Sequence, residues 1–325
     1  MAGMTQTPML DAAALAHLQT WQGKSETLHD SITAVPLAAL SATLDRDDPA
    51  PAPGTAVPPL WHWLYFLPHA RASEIGPDGH PRRGGFLPPV PLPRRMWAGG
   101  RLSWEASNPL RVGQQVQRQS TIESVKHKAG RTGELLFVLV RHRLSNANGL
   151  SLTEEHDIVY RSAAHRAPTL GTGVSSLPPE GALAARGGPS PLSGEAAPAP
   201  QKPPLAGQAA WSRTIVPDDV LLFRYSALTF NDHRIHYDRK YVTEVEGYPG
   251  LIVHGPLIAT LLLDLLRRQL PQAQVARFEF RAVRPTFDLH PFSVHGRPSP
   301  DGKTVELWAQ DHEGWLTMQG QATLA

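Results

Sequence analysis

Residues 247–268 set the architecture of this chain: they read Gly247-Tyr-Pro-Gly-Leu-Ile-Val-His-Gly-Pro256, followed directly by Leu257-Ile-Ala-Thr-Leu-Leu-Leu-Asp-Leu-Leu-Arg-Arg268. From Leu257 onward apolar residues recur at the spacing of a broad apolar helix face, and the two arginines suit the negative end of a helix dipole. We therefore predict a helix over residues 256–270 that is buried on most sides. Gly255 stands where this helix begins.

A polar stretch precedes that helix and reads Arg224-Tyr-Ser-Ala-Leu-Thr-Phe-Asn-Asp-His-Arg-Ile-His-Tyr-Asp238. It places six polar side chains between apolar segments, namely Asn231, Asp232, His233, Arg234, His236 and Asp238. A polar group of this kind beside a glycine at a helix start is typical of a buried site that handles an oxyanion.

The rest of the chain divides into two halves with a similar order of elements, which indicates duplication. In the second half a strand-like start at Trp211 precedes the polar stretch, and strands are predicted at 276–282, 304–309 and 315–324. In the first half we predict a helix at 36–44, an aromatic strand at 60–67, and strands at 114–125, 134–144 and 152–160. The Asn148-Gly149 pair predicts a hairpin between the last two strands.

Residues 163–210 are rich in Pro, Gly, Ala and Ser and lack the large apolar side chains that offset ordering entropy. We predict a linker there, between a domain at 1–162 and a domain at 211–325. A chain of 325 residues is long enough for two such domains.

Composition excludes several kinds of function. The absence of cysteine excludes disulfides, thiolate metal sites and a cysteine nucleophile, and the net charge of +2 comes without the dense basic patch of a nucleic-acid binder. The N-terminal residues do not form a signal peptide, and the longest apolar run is too short to span a membrane. We expect a soluble cytoplasmic protein that binds a small polyanionic ligand.

The stretch from Tyr225 to Leu257 resembles the MaoC-like hot-dog hydratases and dehydratases. The matching letters are Ser226–Asn231, His233–Asp238 and Glu246–Pro256, and in the first half 18–23, 42–45 and 84–100. The resemblance covers most of the chain outside the linker. It is strongest to the double hot-dog branch that includes hydroxyacyl-thioester dehydratase type 2, mesaconyl-C4-CoA (3-methylfumaryl-CoA) hydratase and itaconyl-CoA hydratase.

This resemblance implies an α+β double hot-dog, with two long helices each wrapped by a curved antiparallel sheet. The C-terminal hot-dog carries the catalytic loop, at the interface between the two folds, and the N-terminal hot-dog has none. Aligning His236 with the catalytic histidine of single-fold relatives puts Asn231 at the position of their aspartate. Asn231 cannot take a proton, so this departure matters for mechanism.

The implied catalytic residues are His236, which accepts a proton from water and returns one to the α carbon, and Asn231, which orients the water. The backbone N–H at Gly255 would stabilise the enolate oxygen. Arg94 and Arg95 are candidates for binding CoA phosphates or a substrate carboxylate. Arg234 either pairs with Asp238 or contacts substrate, and His254 either lines the pocket or caps the chain before the helix.

No cofactor is expected. His233 and His236 could begin a metal site, but no third ligand stands at a convincing spacing, so no metal is predicted. The expected function is that of a hydro-lyase acting on a short, branched or dicarboxylic enoyl-CoA. Alternatives are dehydration of linear 3-hydroxyacyl thioesters in fatty-acid synthesis and a non-catalytic acyl-CoA-binding module. The expected partner is the acyl-CoA substrate, without nucleic acid or membrane, and a homodimer is a further candidate.

Overall fold

The computed structural model describes residues 10–92, 94–130, 133–161 and 208–325. The linker predicted at 163–210 lies outside the described residues, except for its last three positions. The helices are α1 (Ala12–Gln19), α2 (Ala34–Thr43), α3 (Asp219–Thr229), α4 (Arg239–Glu244) and α5 (Gly255–Gln269), and short 3₁₀ helices lie at Trp61–Leu64, Ala72–Glu74 and Arg234–His236.

The described strands form one antiparallel sheet. They are β1 (Ser25–Ser31), β2 (Arg94–Trp104), β3 (Gln115–Gly130), β4 (Gly133–Asn146), β5 (Gly149–Arg161), β6 (Trp211–Ile215), β7 (Val275–Ala282), β8 (Phe292–Pro298), β9 (Thr304–Gln310) and β10 (Leu316–Leu324). Their order is β1-β3-β4-β5-β2-β7-β10-β9-β8-β6. Each half of the chain therefore contributes one continuous block of the sheet.

The two blocks join where β2 pairs with β7, and glycine makes this junction possible. Gly99 pairs with Arg281 and Gly100 with Phe280. A Cβ at Gly99 would lie 2.5 Å from the carbonyl oxygen of Phe280, and one at Gly100 would lie 3.0 Å from the Phe280 ring. The halves approach each other too closely here for larger residues.

Helix α5 is the centre of the main hydrophobic core, as its leucine pattern predicts. Every residue from Leu257 to Leu266 is buried, and the helix packs against β6, β8, β9 and β10. The observed bounds lie within one residue of the predicted 256–270. Helix α5 has 15 residues, whereas α1 and α2 of the first half have 8 and 10, so the two halves are unequal.

A buried carboxylate links α5 to the rest of the molecule. The side chain of Asp264 is only 1% exposed and lies 2.7 Å from Arg46, 2.7 Å from Arg213 and 2.8 Å from Arg268. Because a buried charge without partners is strongly destabilising, these arginines are what allow an aspartate in an otherwise apolar helix. Arg46 comes from the first half, so the network also connects the two halves.

The strands predicted from alternation are confirmed, and so is the hairpin at Asn148-Gly149, where Asn146 pairs with Gly149. The aromatic strand predicted at 60–67 is wrong. Trp61–Leu64 form a 3₁₀ helix, and Leu60 and Phe66 have φ of 70° and 55°, which interrupts any extended segment. The side chains are nevertheless core residues, so their composition signalled burial and not backbone conformation.

The α+β prediction is confirmed by this sheet and its few helices. Within the described ranges, no helix combines the length and the apolar character needed to cross a bilayer.

Candidate active site

The polar stretch forms a rigid turn between α3 and α5. Phe230 ends α3 with φ of 49°, and the N–H of Asn231 donates to the carbonyl of Ser226 at 2.8 Å. After the 3₁₀ helix Arg234–His236, the carboxylate of Asp238 caps α4 by accepting the N–H of Tyr241 at 2.9 Å. Local hydrogen bonds therefore fix the direction in which each side chain of the turn points.

His236 is held as a neutral base. Its imidazole is 8% exposed, and Nδ1 lies 2.7 Å from the carbonyl oxygen of Ile252. Because a carbonyl can only accept, Nδ1 carries the hydrogen and Nε2 keeps its lone pair. Burial lowers the pKa of His236 to about 4, although the bond to Ile252 opposes the shift. At neutral pH the ring is uncharged and can accept a proton.

His254 supports His236 from the start of α5. The two rings are stacked, with centroids 3.8 Å apart, and Nε2 of the fully buried His254 lies 2.8 Å from the hydroxyl of Ser226. Burial holds the pKa of His254 well below its usual value, and the neighbouring imidazoles add to this. Its side chain makes no capping hydrogen bond to the helix. Of the two alternatives for this residue, contact with the site fits the geometry.

Gly255 leaves open space at the first turn of α5. A Cβ built on this residue would meet no atom within 4 Å. The first N–H groups of a helix have no partner within the helix, and they carry the positive end of its dipole. Pro256 at the next position fixes the backbone of that turn. A side chain at position 255 would meet no neighbouring group, and the first turn of α5 is a candidate place for an anionic oxygen.

Asn231 lies on the same turn, half-buried. Its side-chain oxygen accepts the N–H of His233 at 3.1 Å. This bond holds the carboxamide in place and leaves its NH₂ group as a donor.

The predicted arginines fall in two places. Arg234 pairs with Asp238 at 2.7 Å, donates to the carbonyl of Pro77 at 2.9 Å and covers the Tyr241 ring at 4.1 Å. The ion pair, one of the two alternatives for Arg234, is therefore present. Arg94 is the first residue of β2, and its guanidinium carbon lies 5.8 Å from the centroid of the Tyr248 ring.

Arg95, the next residue of β2, is closer to the imidazoles. It is hydrogen-bonded to the hydroxyl of Tyr160, its partner across the strands. Its positive charge lowers the pKa of His80 and, to a smaller degree than burial and the other imidazoles, that of His233. Arg95 is thus electrostatically coupled to the imidazoles and Arg94 is its neighbour on β2, and contact of either residue with substrate stays a prediction.

Two residues that the sequence did not single out complete this cluster. Nδ1 of His80 lies 3.2 Å from the carboxylate of Asp78, whose other oxygen accepts the N–H of His80 at 3.1 Å. The rings of His80 and His233 are 3.9 Å apart, and those of His233 and His236 are 5.5 Å apart. Asp78 and His80 come from the first half, about 150 positions before His233, a separation that no sequence spacing reveals.

These residues also form a group with possible ligand atoms. Ligand atoms of Asp78, His80 and His233 all lie within 4.8 Å of one another, close enough to be considered for a metal ion. His236 is not in this group, so the pair His233 and His236 does not gain a third ligand here, and the expectation of no metal stays a prediction.

The turn around Gly79 docks directly on the turn around His233. The N–H of Arg234 donates to the carbonyl of Asp78 at 2.9 Å. Gly79 has φ of +93°, and a Cβ there would lie 1.8 Å from the carbonyl oxygen of Asp232. The loop Thr229–Asp238 therefore lies at the interface between the halves, as expected, and backbone packs on backbone at this point.

Two cavities in the described part of the chain lie away from Asn231 and His236. One of about 370 Å³ lies between the first half and the C-terminal part of α5, with Trp61, Trp104 and Leu263 among its walls. A smaller one of about 150 Å³ is lined by His62, Arg118, Glu154 and Thr229. Thr229 is the last residue of α3, so the smaller cavity approaches the polar turn from the first half.

Comparison with known proteins agrees with this arrangement. A family model described as hydroxyacyl-thioester dehydratase type 2 matches residues 60–180 and 190–288. A mesaconyl-C(4)-CoA hydratase of Chloroflexus aurantiacus is 43% identical over 309 residues, which cover 95% of this chain and 98% of that protein. A mitochondrial hydroxyacyl-thioester dehydratase type 2 of Schizosaccharomyces pombe is 28% identical over 82% of this chain and 88% of its own.

Solved structures show the same fold. A MaoC-like dehydratase superposes with a TM-score of 0.64 at 13% identity, over 94% of this chain and 99% of its own. A Mycobacterium tuberculosis protein described as a double hot-dog superposes with a TM-score of 0.52 at 15% identity, over 94% of this chain and 96% of its own. The double hot-dog prediction is confirmed.

In this chain the polar turn with His233 and His236 lies beside the start of the buried helix α5 of a double hot-dog. Together with the matches to hydratases and dehydratases, this places the protein in the class of MaoC-like hydro-lyases. Within this class, the chain belongs to the hydroxyacyl-thioester dehydratase type 2 family. The expectation of a hydratase or dehydratase acting on acyl thioesters is thereby confirmed.

Proposed function

We propose that this protein hydrates the α–β double bond of a short dicarboxylic enoyl-CoA of the mesaconyl-C4-CoA type, or removes water in the reverse direction. The observation that carries the proposal is His236: a buried imidazole whose Nδ1–H is fixed by Ile252, beside the open first turn of α5. The identity of 43% with a mesaconyl-C(4)-CoA hydratase supports this substrate class.

The thioester carbonyl would point at the N–H groups of Gly255 and the first turn of α5. When water adds to the β carbon, electrons move through the conjugated system and negative charge develops on that oxygen. Preorganised N–H donors and the positive end of the helix dipole stabilise such a charge in a site that excludes water.

His236 would accept the proton that water loses as its oxygen bonds to the β carbon. The ring then returns a proton to the α carbon, where the enolate electrons form the new C–H bond. The NH₂ group of Asn231 would hold the water oxygen in line with the β carbon. In this scheme the amide orients and the imidazole moves the proton, so no acid is needed at position 231.

Arg94 and Arg95 are the proposed contacts for anionic parts of the substrate. Both lie on β2, the charge of Arg95 acts on His80 and His233, and guanidinium groups match carboxylate and phosphate oxygens well. Arg234 has less freedom for this purpose because Asp238 and Pro77 already bind it. Its substrate-binding role stays a prediction, as do a homodimer and a cytoplasmic location.

The test measures turnover of mesaconyl-C4-CoA, crotonyl-CoA and a longer linear enoyl-CoA by the wild-type protein and by His236→Gln. We expect the dicarboxylic substrate to have the highest kcat/KM, and the variant to lose about 100- to 10,000-fold in kcat, the range of general acid–base catalysis. A preference for long linear chains would assign the protein to fatty-acid synthesis. Binding of CoA thioesters without turnover would indicate a binding module.

A further inference from the structure

The proposed reaction leaves one requirement that the polar turn alone does not meet. When His236 takes a proton, a positive charge appears in a buried site. The rings nearest to it, His233 and His254, are themselves buried and have depressed pKa values, mainly because of burial. Arg95 adds a positive charge on the same side. An imidazolium in these surroundings needs a carboxylate nearby, and Asn231 does not supply one.

We infer that Asp78 and His80, from the first half of the chain, complete the proton-transfer machinery of the site. Asp78 is a positioning residue that fixes the tautomer of His80 and balances the positive charge. His80, held by Asp78, stabilises the positive charge that arises among the adjacent imidazoles when His236 takes the proton of water, until His236 returns that proton to the α carbon. This inference rests on the proposed function and adds two residues to it.

Hydrogen bonding gives His80 a property that His236 and His254 lack. The Nδ1 of His236 is bonded to a backbone carbonyl, and the Nε2 of His254 to a hydroxyl. In His80, Nδ1 is bonded to the carboxylate of Asp78. The backbone N–H of His80 donates a second hydrogen bond to the same carboxylate and holds it in place. A carboxylate on one ring nitrogen sets the tautomer, leaves the other nitrogen as the base and stabilises the imidazolium that forms.

The three rings of His80, His233 and His236 lie next to one another. His233 lies next to both partners, with ring centroids 3.9 Å from His80 and 5.5 Å from His236. Burial lowers the pKa of His80, and Asp78 opposes that shift. The pKa of Asp78 is itself held below its usual range: burial disfavours its charge most strongly, but the two hydrogen bonds from His80 and the charges of His80 and His233 together outweigh the burial. The carboxylate therefore stays ionised at working pH.

The step balances without a further reactant. One O–H bond of water breaks as its oxygen bonds to the β carbon, and the proton goes to the imidazoles. The electron pair of the double bond becomes the enolate and then the C–H bond of the α carbon, which takes the proton back. The alternative of a divalent cation on Asp78, His80 and His233 is less favourable, because Asp78 already accepts two hydrogen bonds from His80 and Arg95 repels a cation.

The first experiment compares kcat/KM against pH for the wild type, Asp78→Asn and Asp232→Asn. Removing the carboxylate of Asp78 lowers the pKa of His80. We therefore expect the acid limb of the Asp78→Asn profile to move to lower pH and its plateau to fall about 10- to 100-fold. Asp232→Asn separates charge from hydrogen bonding. The charge of Asp232 also raises the pKa of His80, but the hydrogen bond on the His80 ring comes from Asp78, so this variant should move the acid limb in the same direction by less and lower the plateau less.

The second experiment is a double-mutant cycle with His80→Gln. Residues that act as a unit are not additive, so the double variant should lose no more than His80→Gln alone. Thermal unfolding by circular dichroism identifies any variant that fails to fold. Additive losses, or an acid limb that Asp78→Asn leaves unmoved, would overturn the inference and leave the proposed function intact.

Two measurements do not depend on turnover. Nitrogen-15 NMR of the histidine rings should show the His80 hydrogen on Nδ1 in the wild type, with a lower ring pKa in Asp78→Asn. Elemental analysis of the purified protein should find no stoichiometric metal. A stoichiometric divalent metal that Asp78→Asn abolishes would replace the inference by a metal site. A wild type with the NMR signature but no enoyl-CoA turnover would refute the proposed function instead.

Discussion

The pair at positions 231 and 236 shows what a single residue can and cannot contribute. His236 is identified by its motif, and the structure gives its state: Nδ1–H on Ile252, Nε2 free to accept. Asn231 is fixed by its bond from the His233 N–H, which a carboxylate oxygen could accept equally well. The difference between Asn and Asp at this position is therefore mainly one of charge.

Asn231→Asp should keep activity within about tenfold of wild type, because the loop bond survives and water can still be held. The added negative charge raises the pKa of the nearby imidazoles, so the acid limb of kcat/KM should move to higher pH. Steady-state kinetics from pH 5 to 9 measures both. Asn231→Ala is the control and should lose more. If Asn231→Asp and Asn231→Ala lose the same amount of activity, a neutral amide is required at this position, and orienting the water is not the whole role of Asn231.

At this scale one continuous motif of the sequence contains His236, Asn231, Gly255 and His254, and their catalytic roles stay predictions. The sequence could not identify Asp78 and His80 as part of the same group. Their contact depends on a turn of the first half docking on the polar turn, and nothing local to Asp78-Gly79-His80 indicates that partner. The motif that begins at Gly84, a few residues later, was the nearest available signal.

Elements were predictable where side-chain periodicity decided them. Helix α5 and strands β3, β4 and β5 follow the apolar pattern closely. Helix α3 was missed, although Asp218 caps its start by accepting the N–H of Leu221 at 2.8 Å and was a usable signal. Strand β2 was missed because its glycines and the prolines before it suggest a loop. Gly99 and Gly100 are instead required by the close approach of β7, a tertiary constraint.

The docking of the turns around Gly79 and Asp232 can be tested by adding one carbon. Gly79→Ala places a Cβ 1.8 Å from the Asp232 carbonyl, so the two turns must separate. We expect a loss of kcat exceeding tenfold with a smaller loss of thermal stability, because the imidazoles on the two sides of the interface lose their alignment.

The control for this change is Gly54→Ala. Gly54 also has a positive φ, of +90°, but a Cβ there meets nothing within 4 Å. Both variants carry the cost of an alanine at positive φ, and only Gly79→Ala carries the clash. Equal effects of the two substitutions on kcat would show that backbone conformation, and not docking, causes the loss.

For the whole molecule, buried titratable groups dominate the response to pH. Burial lowers the pKa of His142 to about 4 and that of His156 to about 3. Glu154 is buried among them; burial opposes its charge, but the hydrogen bond from His62 and nearby imidazoles bring its pKa to about 2. All three groups bind protons more readily in the unfolded chain than in the folded one.

The protein should therefore lose stability as pH falls. The folded pKa of each histidine is depressed, so its share is lost from about pH 6.5 downward, and that of Glu154 from about pH 4.5 to 2. Urea unfolding at pH 7.5, 6.5, 5.5 and 4.5 measures this. His156→Gln should flatten the slope between pH 6 and 4 by up to about 1.4 kcal/mol per pH unit, the effect of one proton. A free energy of unfolding that is constant from pH 7.5 to 4.5 would contradict this account.

The two halves of this chain are unequal and contribute different blocks to one sheet, joined where β2 pairs with β7, and this has a consequence for how the protein can change. In a symmetric pair every substitution appears on both walls of each site. Here the wall with Asp78 and the wall with His236 are encoded separately, so each can vary without disturbing its counterpart. Selection can therefore change residues on the wall with Asp78 without the same change appearing beside His236.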